Sequence, residues 1–288
     1  MARASDRIPE NVDGELFVDS SCIDCDLCRQ LAPATFSRTD RRAQSYVAHQ
    51  PAGEGELHRA LMALVTCPTS SIGTTRKLDT KAAARSLPEA IADDVYFCGW
   101  AAESSYGAAS WLIRRPGGNV LVDSPRAAGT LLDRLDELGG VRLMFLTHRD
   151  DVADHAKFRE RFGCERIIHR ADAVGDTRHA ERIVEGDAPI ALADDLVIVP
   201  VPGHTRGSCV LVYRDTYAFT GDHVWATDDG TGLEAGRGVC WYSWPEQKRS
   251  MEKLATHRFT HVLPGHGRRF HASADAMRDE LRRLARAM

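Results

Sequence analysis

The chain has 288 residues, of which 43% are hydrophobic and 27% are charged, and its formal net charge is −4. These values are typical of a globular protein with one large domain or two ordinary ones. There is no basic surplus of the kind that nucleic-acid-binding proteins carry, and no apolar run approaches the roughly 20 residues that span a bilayer. We therefore expect neither a nucleic acid nor a membrane as partner.

The N-terminal residues lack the apolar stretch of a signal peptide, so we expect a cytoplasmic location. Thiols stay reduced in that compartment. The eight cysteines are therefore expected to be metal ligands or buried thiols and not disulfides.

Half of these cysteines form one pattern. Cys22, Cys25 and Cys28 have the spacing C-x-x-C-x-x-C, and a fourth cysteine follows as Cys67-Pro68. Three closely spaced thiolates fit one corner of an iron–sulfur cube, and the fourth ligand then comes from elsewhere in the chain. A structural zinc site is the alternative, but such sites more often pair two C-x-x-C units. We predict one [4Fe–4S] cluster held by Cys22, Cys25, Cys28 and Cys67.

Residues 10–75 resemble a bacterial-type ferredoxin with a single cluster. The resemblance rests on the cysteine spacing, on Phe17-Val18-Asp19 before it and on Cys67-Pro68 after it. It implies a small α+β domain over residues 1–75. The charged, alanine-rich segment 76–94 is typical of a linker or a surface helix, which leaves 95–288 as a second domain.

Strand and helix patterns alternate along this second domain, which favours an α/β fold. The apolar periodicity predicts helices over 127–138 and 156–162, and strands over 110–114, 119–123, 141–146, 166–169, 196–201, 209–213 and 217–220.

Four of the predicted strands end in imidazole or carboxylate side chains, which is where α/β folds usually place their chemistry. The first carries the run Leu146-Thr147-His148-Arg149-Asp150-Asp151-Val152-Ala153-Asp154-His155. The others end in His204 after Gly203, in Asp222 after Gly221, and in His266 between two glycines. Each motif alone also fits a helix cap or a hydrogen-bonded surface histidine.

The four motifs in this order resemble the metallo-β-lactamase superfamily. The resemblance covers residues 95–270 and implies an αββα sandwich preceded by the ferredoxin-like domain. It further implies that His204, Asp222 and His266 are metal ligands, that Asp222 bridges two metals, and that Asp123 is structural.

The first motif departs from the usual His-x-His-x-Asp-His of that superfamily. Asp150 takes the place of the second histidine, and the pair Asp154-His155 comes two residues late. Either the loop is longer and this pair still binds metal, or a one-metal site exists without it. We expect the first, with Asp151 as the alternative to Asp154. The predicted ligands are His148, Asp150, Asp154, His155, His204, Asp222 and His266.

Imidazole and carboxylate together suit one or two divalent ions, zinc or iron, with manganese as a further option. We expect a hydrolase that acts on a small molecule with a metal-activated water, with Asp150 or Asp154 as its general base or proton shuttle. The cluster would then serve electron transfer or regulation.

Two other functions remain open. One is a redox enzyme with a non-haem diiron site, fed by the cluster from a redox partner protein. The flavodiiron branch of the superfamily, which also carries an acidic residue at the position of Asp150, favours it. The other is an iron–sulfur sensor without turnover. Trp241, Tyr242 and Trp244 follow the glycine-containing loop 228–238 and form either a hydrophobic anchor or an aromatic wall over the site.

Overall fold

The structure is a computed structural model and describes residues 2–288. They divide into two compact units. The first contains the chain up to Val120, Ser124–Arg142 and Ala153–Gly163, and the second contains Leu121–Asp123, Leu143–Val152 and Cys164–Met288. Among the described residues, the helices are all too short or too polar to cross a bilayer.

The helices are α1 (Leu27–Leu31), α2 (Glu54–Thr66), α3 (Lys81–Arg85), α4 (Gly129–Glu137), α5 (His155–Phe162), α6 (Trp244–Leu254) and α7 (Ala274–Ala287). The strands are β1 (Leu16–Val18), β2 (Phe36–Thr39), β3 (Gln44–Val47), β4 (Ile72–Thr74), β5 (Glu89–Ala92), β6 (Val95–Phe97), β7 (Trp111–Ile113), β8 (Val120–Val122), β9 (Leu143–Phe145), β10 (Glu165–His169), β11 (Arg182–Val184), β12 (Ile190–Ala193), β13 (Leu196–Pro200), β14 (Cys209–Tyr213), β15 (Tyr217–Gly221), β16 (Trp225–Ala226), β17 (Leu233–Glu234), β18 (His261–Pro264) and β19 (Phe270–His271).

The N-terminal part of the first unit is built from two short antiparallel pairs and two helices. Strand β1 pairs with β4, and β2 pairs with β3. Helix α2 buries one apolar face, including Leu61, Met62 and Val65, and ends at Thr66, directly before Cys67. Helix packing thus fixes where the fourth cysteine of the predicted cluster lies.

The segment 76–94 carries regular structure. It contains α3 and strand β5, and β5 pairs antiparallel with β6, which in turn pairs with β7. A paired strand within the expected linker means that the chain is ordered there by backbone hydrogen bonds. The expected boundaries at residues 75 and 95 stay predictions.

The second unit contains a six-stranded sheet in the order β12-β13-β14-β15-β18-β19. Helices α6 and α7 cover one face of it, because apolar side chains of both helices and of four strands form a single buried cluster. Its members include Val199, Val210, Val212, Met251, Leu254, Phe259, Val262, Met277 and Leu281. Two layers of this unit, sheet and helices, are therefore held together by the hydrophobic effect.

The same unit contains the parallel strands β9, β10 and β11. The ladder continues past β9, since the Leu146 N–H donates to the Ile167 carbonyl at 2.9 Å. The Cys209 N–H at the start of β14 donates to the Thr147 carbonyl at 2.8 Å. These bonds fix the backbone immediately before His148.

Candidate metal centre

The first ligand loop is set by a chain of three side chains. The Asp123 carboxylate accepts hydrogen bonds from the Thr147 N–H at 2.8 Å and from its hydroxyl at 2.9 Å. Since that hydroxyl donates to Asp123, it accepts from the His148 Nδ1, 3.0 Å away. The chain orients the imidazole so that Nε2 carries the free lone pair, which is the form that binds a metal. Asp123 therefore holds Thr147 and, through it, positions His148.

The His204 loop is held by a different carboxylate. Asp172 is fully buried, and it accepts hydrogen bonds from the Thr205 hydroxyl, from the Gly207 N–H at 2.9 Å and from the Arg149 N–H at 3.1 Å. It therefore joins the loop after His148 to the loop that carries His204.

Asp222 and His266 meet at the ends of β15 and β18. Asp222 Oδ1 accepts the His266 N–H at 3.0 Å and lies 2.9 Å from its Nδ1. Gly265 makes this approach possible, because a Cβ there would lie 2.0 Å from Asp151 Oδ2 and 3.0 Å from Asp222 Oδ1. Any side chain at residue 265 would displace one of these carboxylates.

The functional side chains converge on one point of the second unit. The His148 Nε2 lies 3.7 Å from Asp151 Oδ1 and 3.8 Å from Asp222 Oδ2. The His204 Nε2 lies 3.4 Å from Asp150 Oδ2 and 3.7 Å from Asp222 Oδ2. The His266 Nδ1 lies 3.5 Å from Asp151 Oδ1.

Several of these atoms are buried without a hydrogen-bond partner. They are His148 Nε2, His204 Nε2, Asp150 Oδ2 and both carboxylate oxygens of Asp151. Unsatisfied buried polar atoms are costly and rare, and a cluster of imidazole nitrogens and carboxylate oxygens satisfies them by coordinating a cation. The donor set therefore fits a divalent metal.

Two triads of these residues have metal-binding spacing and share His148. In each of them one ligand atom per residue lies within 4.8 Å of the other two. One triad is His148, Asp150 and His204, and the other is His148, Asp151 and Asp222. Two overlapping triads provide for one or two ions.

The electrostatics also indicate a cation. Burial lowers the pKa of His148 to about 4, so the imidazole is neutral at pH 7 and free to act as a ligand. Burial and the neighbouring Asp222 raise the pKa of Asp151 well above its ordinary value. A divalent ion relieves this repulsion, because it compensates the charge of both carboxylates.

Asp154 and His155 are absent from both triads among the described residues. Asp154 Oδ2 accepts the Ala127 N–H at 2.9 Å, and Oδ1 pairs with Lys157 at 2.8 Å. Both of its oxygens are thus engaged within the first unit. His155 is buried as the first residue of α5. Asp151, the predicted alternative to Asp154, is a member of the triad with His148 and Asp222.

Asp172 carries no motif in the sequence and was not predicted as a site residue. The available signal was its position three residues after the end of strand β10, since the predicted ligands also follow strand ends. His223, next to Asp222, is fully buried, and burial lowers its pKa to about 3.

The four motif cysteines line one enclosed cleft in the first unit, together with Val18, Leu27, Pro68 and Ile72. Backbone N–H groups point at two of the sulfurs, from Ser45 to Cys22 Sγ at 3.4 Å and from Ser71 to Cys67 Sγ at 3.3 Å. Gly107, at φ +84°, lies so close to Cys25 that a Cβ there would be 2.6 Å from the cysteine Cβ.

Burial disfavours the thiolate form of these cysteines, which is the form that binds a metal. Burial, together with the neighbouring Cys67 and Cys22, raises the pKa of Cys25 to about 12. Burial likewise raises the pKa of Cys28. Iron compensates the thiolate charges that burial disfavours, and N–H···S hydrogen bonds stabilise the bound sulfurs. The residues therefore fit an iron–sulfur cluster.

The layered α/β fold with strand-end His and Asp ligands defines a metal-binding sandwich protein. Residues 106–287 match the family model described as "Metallo-beta-lactamase superfamily", and the chain belongs to that superfamily. Residues 18–74 match the model "4Fe-4S single cluster domain of Ferredoxin I". The predicted fold class, the [4Fe–4S] cluster and the divalent metal of the sandwich domain are thereby confirmed.

Solved structures show the same fold at low sequence identity. The DIM-1 metallo-β-lactamase is 18% identical, with a TM-score of 0.52 over 69% of this chain and 96% of that one. VMB-1 is 15% identical, with a TM-score of 0.53 over 69% and 95% of the two chains. The mono-zinc form of FIM-1 from Pseudomonas aeruginosa is 16% identical, with a TM-score of 0.50 over 69% and 93%.

Two curated relatives carry the name hydroxyacylglutathione hydrolase. The protein from Cereibacter sphaeroides is 30% identical over 130 residues, which are 44% of this chain and 51% of the relative. The protein from Acidiphilium cryptum is 26% identical over 128 residues, 43% and 52% of the two chains. The chain thus spans about half the length of the curated relatives that it matches.

Proposed function

We propose that this protein is a metal-dependent hydrolase of small esters or thioesters. The observation that carries the proposal is the convergence of unpartnered, buried donor atoms of His148, His204 and Asp151 on one point. The names of the two curated relatives support a thioester as the substrate class.

The metal would be held by His148, Asp151 and Asp222, which form one triad, and by His204. Asp150, which shares the other triad with His148 and His204, would then be the carboxylate that does not bind the ion, and His266 lies next to Asp151. When bound, a divalent ion supplies a Lewis acid and a water that loses its proton near neutral pH. The residues of the chain supply the orientation. Asp123 and Thr147 keep the His148 Nε2 lone pair directed at the metal position, and Asp172 fixes the distance between the two ligand loops.

Asp150 is the best placed proton acceptor. Its side chain is 28% exposed, while that of Asp151 is fully buried, so Asp150 is the carboxylate that can exchange a proton with solvent. The neighbouring His204 lowers the pKa of Asp150, which keeps the carboxylate ionised as a base at neutral pH. We assign the base to Asp150 and not to Asp154, whose oxygens accept from Ala127 and pair with Lys157.

The test is thioester hydrolysis by the cluster-containing protein loaded with zinc, iron or manganese in separate samples. We expect hydrolysis of an acylglutathione with at least one metal, and its loss in His204→Ala together with the loss of bound metal. Full metal loading without hydrolysis of any ester or thioester in a broad panel would reject the proposed activity.

A second candidate function is redox chemistry at an iron site in the sandwich domain. Three carboxylates in the two triads favour a hard ion such as iron, and the cluster adds an electron carrier to the same chain. Metal analysis and EPR of anaerobically purified protein separate the two functions. Iron in the sandwich domain that is reduced through the cluster supports redox chemistry, with a redox partner protein as donor. Hydrolysis that survives Cys25→Ala supports a regulatory or structural cluster.

A further inference from the structure

Two large aromatic side chains next to the metal centre are exposed to solvent. Trp241 is 61% exposed and Tyr242 is 48% exposed. Exposed tryptophan is uncommon, because burying an indole is strongly favourable, and exposed apolar groups near a polar cavity often mark a binding surface. The other two tryptophans of this unit have partners for their indole N–H groups, Glu234 for Trp225 and the Met288 carbonyl for Trp244.

The backbone holds these aromatic residues against the His204 loop. The N–H groups of Trp241 and Tyr242 both donate to the His204 carbonyl, at 2.9 and 3.0 Å. The Ser243 N–H donates to the Gly203 carbonyl at 3.0 Å, and the Ser243 hydroxyl caps helix α6. A segment with this many hydrogen bonds is fixed in place, so the exposure of its rings is a feature of the folded state.

The indole also lies beside the metal ligands themselves. The ring centroids of Trp241 and His204 are 6.3 Å apart, and those of His204 and His148 are 4.7 Å apart. Trp241 is thus a ring neighbour of His204, which is in turn a ring neighbour of His148, so the exposed indole is one side chain away from His148. A substrate whose reacting carbonyl lies at the metal would place an adjoining group on the indole face.

We propose that Trp241 and Tyr242 form the binding surface for an apolar alkyl or aryl group that adjoins the scissile carbonyl of the substrate. The inference rests on the proposed hydrolase function and names the substrate class of that site. The apolar group belongs either to the acyl part or to the leaving group, and both share the same chemistry.

Two series of thioesters show whether the apolar group belongs to the acyl part or to the leaving group. In one series the acyl group grows from acetyl to benzoyl with a fixed thiol, and in the other the thiol grows with a fixed acetyl group. For the wild type we expect KM to fall along one series. In Trp241→Ala we expect that dependence to vanish, with KM for the largest member raised about tenfold and kcat little changed, because uniform binding is removed. Trp241→Phe should restore most of the preference.

A binding experiment tests the surface without turnover. Acetohydroxamic and benzohydroxamic acid chelate metals through the same group and differ only in the apolar part. Calorimetry on the metal-loaded protein should give about tenfold tighter binding of the benzoyl compound by the wild type. In Trp241→Ala and Tyr242→Ala the ratio should fall toward one at unchanged metal content. Tyr106→Ala, which removes an exposed aromatic ring of the first unit, is the matched control.

These experiments distinguish the proposed hydrolase function from the proposed binding surface. A wild type that hydrolyses nothing but shows the hydroxamate preference, lost in Trp241→Ala, rejects the hydrolase and supports the binding surface. A hydrolase whose KM series and hydroxamate ratio are unaffected by Trp241→Ala and Tyr242→Ala overturns the binding surface alone.

Discussion

The carboxylate of Asp172 accepts a hydrogen bond from the Gly207 N–H over 2.9 Å. A Cβ on Gly207 would lie 2.7 Å from the Asp172 side chain and backbone, so only glycine permits this approach. The other oxygen accepts from the Arg149 N–H and the Thr205 hydroxyl. One buried carboxylate therefore determines how far the His148 loop lies from the His204 loop.

Replacing this carboxylate by an amide should loosen the metal centre. In Asp172→Asn one acceptor becomes an NH₂ group, which faces an N–H donor and repels it. Groups that orient metal ligands typically contribute 10- to 100-fold to metal affinity. We expect a loss of about that size, measured by competition with a chelator. Asp176→Asn, an exposed carboxylate four residues away, is the control. Unchanged affinity in Asp172→Asn would show that the loops are positioned without it.

Asp151 and Asp154 should differ sharply as metal ligands. Asp151→Asn removes a fully buried charge from the triad with His148 and Asp222, and we expect at least a tenfold loss of metal affinity. Asp154→Asn removes only the ion pair with Lys157, so metal content should stay intact while stability falls by about 0.5 kcal/mol. Elemental analysis and urea unfolding of both variants give these values. The reverse pattern would support the longer ligand loop in which Asp154 binds the metal.

The contrast between these two aspartates shows which features of the site can be predicted from the sequence and which depend on the folded loop. Regular spacing identified the strands and the glycine turns, because both depend on local periodicity and backbone freedom. His148, His204, Asp222 and His266 were predicted as ligands from the motifs at the ends of these strands and from the superfamily that the motifs resemble. The choice between Asp151 and Asp154 depends on how the loop after β9 folds. The Asp154 carboxylate accepts a hydrogen bond from the N–H of Ala127, which lies 27 positions earlier in the chain. Asp172 was missed for the same reason, since its partners are distant in sequence.

The cysteines fall into two groups that should respond differently to substitution. Cys22, Cys25, Cys28 and Cys67 line one cleft, whereas Cys98 is fully buried outside it. Cys67→Ala should reduce cluster-bound iron and acid-labile sulfide to a small fraction of the wild-type value, because a cube corner loses its ligand. Cys98→Ala should keep both at wild-type levels and cost about 1 kcal/mol from the lost packing. Visible absorbance and iron analysis measure the cluster. Iron that stays stoichiometric in Cys67→Ala would remove this residue from the ligand set.

An ion pair at the edge of the parallel strands should make stability depend on pH. Burial acts to raise the pKa of Glu181, but hydrogen bonds from the Arg166 guanidinium and N–H outweigh it and lower the pKa to about 2. A lowered pKa means that the stabilisation is present above the ordinary value near 4.5 and disappears as the pH falls toward 2. Since Glu181 is partly exposed, we expect only about 1 kcal/mol after solvent screening.

The measurement is the difference in unfolding free energy between the wild type and Glu181→Gln, taken by urea unfolding at steps from pH 7 to pH 3. The difference should be about 1 kcal/mol at pH 7 and shrink below pH 4.5, because the wild-type carboxyl then takes up its proton in the unfolded chain first. Glu185→Gln is the control, since Glu185 pairs with Arg170 on an exposed surface where both side chains are more than 60% accessible. A difference for Glu181→Gln that is as large at pH 3 as at pH 7 would mean that the side chain stabilises the strands by packing and not by its charge.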